Sequence, residues 1–381
     1  MRLTNALLPL LLASAALAQS EPTASPQPEL STAQHVVVVT LENHSFSSVI
    51  NNSSMPYLNA IAHDYAYGSQ YYADTHPSIG NYFMLTTGQI ITNNDNFNGT
   101  VSADNLVRHF SSTGKTWRSY AEGLPSVGYL GGDTGLYFRH HNPFTYFSDV
   151  RNSNPERQNL VPFTEFAHDL ANGALPNYSF IIPNRCNDAH DCSLSTADHW
   201  LQANLGPLLA NQQFQRTGLL LIVFDESFDN DPAHGGGHVA LVAVGHAVKR
   251  AYASPSFYRH ENLLSTVCAS PVLYGCPGAG SSAQPMSDLF TNADLPFMDL
   301  STWSVAYPQQ GPQLTIGAGA SDAQHSIVSI IAYLDSQIVA RTSGSPLRAT
   351  IPIRAGSHNL TVRAWNASGA YASATRTISV R

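Results

Sequence analysis

The run His35-Val-Val-Val-Val-Thr-Leu41 is continuous and largely β-branched, and the polar pair Glu42-Asn43 follows it directly. Such a run predicts a strand buried on both faces, as in a parallel sheet covered by helices. Further runs of this kind are Tyr178–Ile182, Gly218–Phe224 and His238–Val244. Helix-like segments lie among these runs, namely Met55–Tyr65, Ser78–Thr87, Val161–Leu170 and His199–Leu209. The alternation predicts an α/β domain with a mostly parallel central sheet over residues 34–305.

The pattern changes near residue 305. Beyond residue 312, short alternating runs are separated by glycine-containing turns, as in Ile327–Tyr333, Arg348–Ile353, Asn359–Trp365 and Ala374–Val380. We predict an all-β sandwich of immunoglobulin type over residues 306–381, without the paired cysteines of antibody domains. Such a module on an exported enzyme serves as a spacer or contacts a surface or carbohydrate, and both roles stay open.

Composition excludes some function classes. The chain has 381 residues, of which only 12% are charged, and its formal net charge is −8 at pH 7. Because no basic run occurs, sequence-independent binding to nucleic acid or to an anionic bilayer is not expected. Hydrophobic residues make up 43% of the chain, which is enough for a large core and argues against global disorder.

The N-terminus predicts export. Arg2 precedes an apolar stretch that ends at Leu17, and Ala16-Leu17-Ala18 resembles a signal-peptidase site. We therefore expect a signal peptide over residues 1–18 and a flexible leader over residues 19–33, and so a secreted or periplasmic protein. The alternative is a transmembrane anchor, but a span needs roughly 20 apolar residues and this stretch is shorter.

The cysteines fit an exported chain. The close spacing within each pair suggests the disulfides Cys186–Cys192 and Cys268–Cys276, although other pairings are possible in principle. A zinc site is the alternative, but no C-x-x-C motif occurs and an oxidising compartment favours disulfides.

Polar residues stand at the carboxyl ends of two predicted strands. Glu42 and Asn43 follow the first strand, and Asp225 and Glu226 follow a later one. Ligand-binding groups in open α/β sheets collect at such strand ends. With the histidine-containing loop 229–238 beside them, these oxygen ligands predict a divalent-metal site. For any single carboxylate, the alternative is a solvated loop residue or a helix cap.

The segment Tyr72–Gly88 places hydroxyl groups at a predicted helix start. Pro77 fits the first turn of that helix. Thr75 and Ser78 then flank its N-terminus, where free amides and the helix dipole favour a phosphate or an oxyanion. A hydroxyl held there against a metal ion can ionise and attack phosphorus. Alternatively, Thr75 or Ser78 only caps the helix.

The loop Pro183–Cys192 follows another predicted strand. Asp188 and His190 are candidates for metal binding or proton transfer, and Arg185 is a candidate for a bidentate phosphate contact. The alternative is a polar disulfide loop without chemistry.

The glycine-rich segment 131–143 contains Arg139 and His140. Its glycines would let the backbone approach a ligand closely, so we expect these two cations on the substrate side. A structural Arg-His loop explains the same residues about as well.

Four motifs in order resemble a known family: Glu42-Asn43-His44-Ser45-Phe46, Thr75-His-Pro-Ser78 with Asn81-Tyr82, Asn187-Asp-Ala-His190-Asp191, and Asp225-Glu226 with His234-Gly-Gly-Gly237. They are similar to those of the bacterial phosphoesterase family of acid phosphatases and phospholipase C-type enzymes, in the alkaline phosphatase-like superfamily. The resemblance spans about residues 34 to 292 and implies an α/β/α sandwich. The chain looks closer to the short secreted phosphatases than to the long phospholipases.

The resemblance also implies roles for residues. Glu42 and Asn43 would bind a metal ion from the first strand, and Asp225 and Glu226 from the later one. Since Glu226 stands where the superfamily often has a histidine, the resemblance favours one divalent ion over two.

The hydroxyl-or-thiol-x-Pro-Ser/Asn pattern of the superfamily implies Thr75 as the nucleophile, with Ser78 as the alternative. Asn81 would help to hold the phosphate. His190 and His234 would act as ligands or as proton donors to the leaving group.

We therefore predict an exported, metal-dependent phosphoric-ester hydrolase, an acid phosphatase that acts on phosphomonoesters through a hydroxyl nucleophile and a phosphoenzyme. Its substrate partner would be a small phosphate ester or a phospholipid headgroup. A phospholipase C-type phosphodiesterase is one alternative, and an exposed apolar rim around the pocket would favour it. An inactive phosphoesterase-like protein that binds a surface is the other.

Overall fold

The structure is a computed structural model that describes residues 33–270, 272–273, 275–291, 297–308, 311–322, 326–335, 337–367 and 371–380. The predicted signal peptide and almost all of the predicted leader lie outside these ranges. Within them, no helix is both long enough and apolar enough to cross a membrane.

A large mixed sheet forms the centre of the N-terminal region. Its strands are β1 (His35–Leu41), β2 (Ala66–Tyr72), β3 (Trp117–Ala121), β4 (Leu160–Pro162), β5 (Tyr178–Ile182), β6 (Gly218–Phe224), β7 (Leu241–Gly245) and β8 (Tyr252–Arg259). Their order across the sheet is β4-β3-β5-β1-β6-β7-β2-β8. Strands β1, β5 and β6 have the predicted bounds, and β1 and β6 are buried along almost their whole length because both faces of the sheet are covered.

The prediction of a mostly parallel sheet is confirmed. Strand β7 departs from it, since it runs antiparallel to both β6 and β2. The connection from β6 to β7 contains no α-helix, and an antiparallel neighbour needs no crossover helix. The predicted strand 238–244 therefore begins later, at Leu241, while His238 and Val239 form only isolated bridges to Tyr72 and Ser45.

Ten α-helices occur in the described residues: α1 (Phe46–Val49), α2 (Pro56–Asp64), α3 (Ser78–Thr87), α4 (Leu106–Thr113), α5 (Ser148–Arg151), α6 (Asn154–Arg157), α7 (Thr164–Ala171), α8 (Leu194–Ala210), α9 (Gln212–Thr217) and α10 (His260–Ala269). Helix α2 packs against α8, and α3 packs against α10. Helix α3 has the predicted bounds, but Pro77 is its N-cap and lies just before the first turn.

Two predicted helices begin elsewhere. The segment from Val161 was predicted as a helix, but Leu160–Pro162 forms the edge strand β4 and α7 begins at Thr164. A residue before proline is pushed away from helical backbone angles, which explains Val161. Helix α8 begins at Leu194 instead of His199, because the Ser193 hydroxyl accepts a hydrogen bond from the Thr196 amide and caps it.

The C-terminal region is all-β, as predicted. Its strands are β9 (Phe297–Ala306), β10 (Gln313–Ser321), β11 (Ile327–Leu334), β12 (Gln337–Thr342), β13 (Leu347–Pro352), β14 (Gly356–Asn366) and β15 (Tyr371–Val380). They form two antiparallel sheets, β13-β10-β9 and β12-β11-β14-β15, around a separate apolar core. Since β9 pairs with β10, this region begins at Phe297, before the boundary predicted at 305/306. The immunoglobulin type stays a prediction.

Both predicted disulfides, Cys186–Cys192 and Cys268–Cys276, are formed. The first closes the loop that follows β5. Strands β5, β1 and β6 are parallel neighbours, so their carboxyl ends lie side by side at one edge of the sheet. This edge brings the predicted polar residues together.

Candidate active site

Four carboxylates converge at this edge of the sheet. Glu42 follows β1, Asp188 lies in the loop after β5, and Asp225 and Glu226 follow β6. Two backbone hydrogen bonds join the strand ends: the Glu42 amide donates to the Asp188 carbonyl (2.9 Å), and the Asp225 amide donates to the Leu41 carbonyl (2.9 Å). All four side chains are buried, with at most 2% of each residue exposed. We call these four residues the acidic cluster.

Burial of like charges changes the protonation of the acidic cluster. Burial, with Asp225 and Asp188 nearby, holds the pKa of Glu42 well above its usual value. Burial raises the pKa of Asp188 to about 8 and that of Asp225 to about 6. Burial and the adjacent Asp225 raise the pKa of Glu226 to about 10. Ionisation of these buried carboxylates is therefore unfavourable unless a cation compensates their negative charge.

Within the described residues, the ion-pair partners of the acidic cluster are histidines alone. His141 Nε2 lies 3.4 Å from Glu42 Oε1, and His141 Nδ1 lies 3.6 Å from Asp188 Oδ2. His76 Nδ1 lies 2.9 Å from Glu226 Oε2. Burial lowers the pKa of His141 to about 3, so this ring is neutral and has a lone pair available for a metal ion.

The acidic cluster fits a divalent cation. Asp188 Oδ2, Asp225 Oδ2 and His141 Nε2 are buried without a hydrogen-bond partner, which is costly unless another group fills their coordination. Two groups bring three possible ligand atoms within 4.8 Å of one another, namely Glu42 with His141 and Asp188, and His76 with Glu226 and Asp229. Carboxylate oxygens with imidazole nitrogens suit a hard or borderline divalent ion.

Asn43 completes the set of predicted ligands. Its side-chain amide, with the nitrogen turned to the carboxylates, donates to Glu226 Oε1 (3.0 Å) and Glu42 Oε2 (3.2 Å). The structure thus brings together all five predicted metal ligands. The sequence analysis missed His141, although it lies next to Arg139 and His140, which were selected, and it missed His76, which lies inside the Thr75–Ser78 motif.

Ser78 presents a hydroxyl to the acidic cluster. It is the first residue of α3, and its Oγ lies 3.1 Å from Glu42 Oε2 and 3.2 Å from Glu226 Oε1. One turn later, Tyr82 donates a short hydrogen bond to Glu42 Oε1 and fixes that carboxylate. The helix start thus places a hydroxyl group and two carboxylates at one point.

The Thr75 hydroxyl bonds to groups outside the acidic cluster. Its hydroxyl accepts a hydrogen bond from Asn93 Nδ2 (2.8 Å) and donates to the His76 carbonyl (3.1 Å). The described contacts of Thr75 include none with the four carboxylates. The sequence analysis expected the Thr75 hydroxyl beside the predicted metal ligands. The structure places the hydroxyl of Ser78, the alternative nucleophile, in that position.

Asn81 supports the segment before the helix. Its Oδ1 accepts from the amides of Asp74 (3.0 Å) and Thr75 (3.2 Å), and its Nδ2 donates to the Thr75 carbonyl (2.8 Å). These contacts occupy most of its hydrogen-bonding capacity. A phosphate contact for Asn81 stays a prediction.

The basic residues predicted to bind substrate make contacts within the protein. The guanidinium of buried Arg139 lies 4.1 Å from the centre of the Tyr146 ring. His140 stacks on Phe138 with ring centres 4.9 Å apart, and Arg185 pairs with the Asp191 carboxylate and also lies over Phe138. Their role in substrate binding stays a prediction.

The two predicted proton donors have different surroundings. Exposed His190 pairs through Nδ1 with Asp191 Oδ1 (2.7 Å), and its ring centre lies 5.9 Å from that of His141, beside the acidic cluster. His234 is also exposed, but its ring packs against Tyr72 (4.4 Å) and Phe257 (4.8 Å).

The loop after β6 packs tightly on the segment before α3, and its glycines permit this approach. Gly235 has φ +109°, and a Cβ there would lie 2.1 Å from the Asp74 carbonyl oxygen. On the same loop, the Asp231 carbonyl lies 3.2 Å from His76 Nε2 and helps to orient this ring toward Glu226.

Comparisons of the sequence with known proteins identify a family. The sequence profile of the Phosphoesterase family matches residues 48–270. A phosphatidylinositol-3-phosphatase of Mycobacterium tuberculosis is 34% identical over 270 residues, which cover 68% of this chain and 84% of that protein. A phosphate-repressible acid phosphatase of Penicillium chrysogenum is 30% identical, and the match covers 64% of this chain and 60% of that protein.

Among solved structures, an alkaline phosphatase superfamily protein from Vibrio parahaemolyticus aligns over 96% of this chain and 88% of its own length. The TM-score is 0.47 and the identity is 9%.

Proposed function

The chain belongs to the Phosphoesterase family and so to the hydrolases that act on phosphoric esters, and from this premise we propose that it is an acid phosphatase with Ser78 as its nucleophile. The proposal includes a divalent metal ion, a phosphoenzyme intermediate and a phosphomonoester substrate. The observation that carries it is the position of the Ser78 hydroxyl, within 3.2 Å of carboxylates from two different strand ends.

In the proposed first step, Ser78 Oγ attacks phosphorus. A serine–phosphate bond forms, and the bond from phosphorus to the alcohol oxygen breaks. Glu42 and Glu226 both lie within hydrogen-bond distance of Oγ, and in the ionised form that a bound cation would favour, either one would accept the hydroxyl proton. Water then cleaves the phosphoserine and releases phosphate.

The start of α3 supports the charged transition state. The backbone amides at a helix N-terminus have no partner within the helix, and the dipole there favours negative charge. Ser78 is the first residue of α3, so this dipole would favour phosphoryl oxygens held beside it, while the Ile79 amide already bonds Asp95.

The residues that would hold the metal ion are Glu42, Asn43, Asp188, Asp225 and Glu226, with His141 beside them. A bound divalent ion would lower the pKa of the nucleophile and neutralise charge on the phosphoryl oxygens. One ion is our proposal, in keeping with the carboxylate at position 226. Metal analysis of the purified protein gives its identity and number.

His190 is our proposed proton donor to the leaving group. Its ring lies beside His141, and Asp191 Oδ1 bonds Nδ1, which leaves Nε2 as the second functional nitrogen. The exposure of His190 suits a group that meets a departing alcohol at the mouth of the site.

We also propose that the protein is secreted or periplasmic. The two disulfides support this, because such bonds persist in oxidising compartments. The all-β C-terminal region is proposed as a spacer or a surface-contact module.

Hydrolysis of p-nitrophenyl phosphate by the mature protein tests the function. We expect turnover that a chelator abolishes, that an added divalent ion restores and that Ser78→Ala removes. Brief reaction with labelled substrate, followed by acid quenching, should leave phosphate on Ser78. A folded, metal-loaded protein that hydrolyses no phosphomonoester would contradict the proposal and support the surface-binding alternative.

A phospholipase C-type activity is the second candidate, and exposed apolar side chains favour it. Ile90, Leu136 and Phe228 are all more than 40% exposed. Phe228 lies two residues after Glu226, and a Cβ on Gly80 in α3 would lie 3.3 Å from Ile90 Cγ2. Hydrolysis of p-nitrophenyl phosphorylcholine in place of the monoester would support this candidate.

A further inference from the structure

The loop that follows α3 folds back over the start of the same helix. We call residues 90–98 the return loop. Asn93 Nδ2 on this loop donates to the Thr75 hydroxyl (2.8 Å), and Asp95 Oδ1 accepts a hydrogen bond from the Ile79 amide (3.1 Å). The return loop therefore contacts the chain on both sides of Ser78.

The Ile79 amide is one of the free donors at the start of α3. Pro77, the N-cap residue, makes no side-chain hydrogen bond to the helix, so Asp95 supplies the missing acceptor from a distant position in the sequence. The Ile79 amide directly follows Ser78. Asp95 therefore places its carboxylate beside the residue on which the phosphoryl group would be held.

Asp95 also contributes charge to the site. The carboxylate oxygen that accepts from the Ile79 amide carries its charge one residue from Ser78. In the described residues Asp95 forms no ion pair with lysine, arginine or histidine.

We propose that Asp95 sets the charge selectivity of the site. Its carboxylate places a negative charge at the amide that follows the nucleophile, beside the bound phosphate, and so disfavours doubly charged phosphate groups relative to singly charged ones. The preferred substrates are then phosphate esters with one negative charge: monoesters below about pH 6, where the second proton is still bound, and diesters at any pH. This inference rests on the proposed function of Ser78.

The selectivity follows from Coulomb's law. The repulsion between Asp95 and a bound phosphate is proportional to the charge on the phosphate, so it is twice as large for two charges as for one. If Asp95 only capped the helix, its replacement by Asn would affect inhibitors of either charge equally, because Asn keeps a side-chain oxygen for the Ile79 amide.

Two competitive inhibitors that differ by one charge test the inference. Phenylphosphonate carries two negative charges at pH 8, and its monomethyl ester carries one. Both are measured against p-nitrophenyl phosphate hydrolysis with saturating metal ion, in the unaltered protein and in Asp95→Asn. We expect the inhibition constant of the doubly charged inhibitor to fall about tenfold and that of the ester only about threefold, which is the pattern of a charge effect.

Asp104→Asn is the matched control, since Asp104 is an acidic residue outside the site that pairs with His109. It should leave both constants unchanged. If Asp95→Asn does not fold, Asp95→Ser removes the same charge and carries the same expectation. Equal changes for both inhibitors, or none, would overturn the inference while the activity of the unaltered protein still supports the proposed function. Absence of phosphatase activity in the unaltered protein would overturn both.

Discussion

The Ser78 hydroxyl lies 3.1 Å from Glu42 Oε2, although 36 residues separate the two in the chain. Glu42 follows the central strand β1, and Ser78 begins α3, so the contact joins the middle of the sheet to a helix start. The acid is fully buried and is held by Tyr82 as well. A serine in this position differs from one that merely caps a helix, because its hydroxyl points to carboxylates instead of to its own backbone.

The two candidate nucleophiles should respond differently to mutation. We expect Ser78→Ala to lower kcat by about a thousandfold or more, the loss typical of a removed nucleophile. Thr75→Val should cost less than about tenfold in kcat, because it removes the hydrogen bonds of the hydroxyl to Asn93 and to the His76 carbonyl but keeps the shape of the side chain. Steady-state kinetics on p-nitrophenyl phosphate gives both values. An active Ser78→Ala with an inactive, folded Thr75→Val would assign the nucleophile to Thr75.

Removal of metal should make stability depend on pH. Burial raises the pKa of Asp225 to about 6 from the usual 3.8, so the ion-free folded protein holds a proton that the unfolded chain releases. Stability from this group is therefore lost as the pH rises from the unfolded pKa through the folded one. We expect the chelated protein to lose on the order of 2 kcal/mol of unfolding free energy between pH 4 and pH 7 through Asp225 alone.

Thermal unfolding with and without chelator measures this loss. The gap in Tm between the metal-loaded and chelated protein should widen as the pH rises, because metal binding needs deprotonated ligands. Asp225→Asn should flatten the pH dependence of the chelated protein. The same Tm at pH 4.5 and pH 7.5, whether or not chelator is present, would contradict the prediction.

His141 should matter for metal affinity, whereas its neighbour should not. His141 lies within 3.6 Å of Glu42 and Asp188 through its two ring nitrogens, while His140 stacks on Phe138. We expect His141→Asn to weaken metal binding about 10- to 100-fold, the range found when a ligand or its supporting group is lost.

A competition titration with a metal-sensitive dye measures the dissociation constant for each variant. His140→Asn is the control and should retain the affinity of the unaltered protein. If both variants, or neither, bind the ion more weakly, the geometric distinction between the two rings has no functional meaning.

The two disulfides should contribute similarly to stability but differently to activity. The Cys186–Cys192 bridge closes the loop that contains Asp188, and Cys268–Cys276 lies at the end of α10. From loop length, replacement of either pair by serine should lower the unfolding free energy by about 2 kcal/mol. Only the first double variant should also need more metal ion for half-maximal activity, because Asp188 is then less firmly placed. Equal effects of both pairs on the metal requirement would contradict this.

The sequence predicted best what the hydrophobic pattern determines directly. Strands β1, β5 and β6 are buried on both faces. Each is therefore a continuous apolar run, and the ends of the run are the ends of the strand. The polar residues that follow them could then be assigned to one edge of the sheet. Strands β2 and β3 were missed, because polar residues interrupt them, as in the sequence Ala66-Tyr-Gly-Ser-Gln-Tyr-Tyr72.

The order of the two nucleophile candidates could not be settled by pattern. The hydroxyl-x-Pro-Ser motif contains both, and their difference lies in three dimensions. Pro77 separates an extended segment, where Thr75 turns to the return loop, from the helix, where Ser78 faces the acidic cluster. His141 was missed for a related reason: in the short 3-10 turn of residues 139–141, neighbouring side chains point in different directions, and only the third meets Glu42 and Asp188.

The spacing of the site along the chain has a consequence for biosynthesis. The Asn43 amide bonds Asp225 Oδ1 across 182 residues, so the two meet only after β6 has taken its place beside β1. While residue 226 of a nascent chain is still inside the ribosome, Glu42 and Asp188 lack their partners Asp225 and Glu226. The complete acidic cluster thus forms only once most of the N-terminal region has been made, and fragments that end before β6 lack two of its four carboxylates.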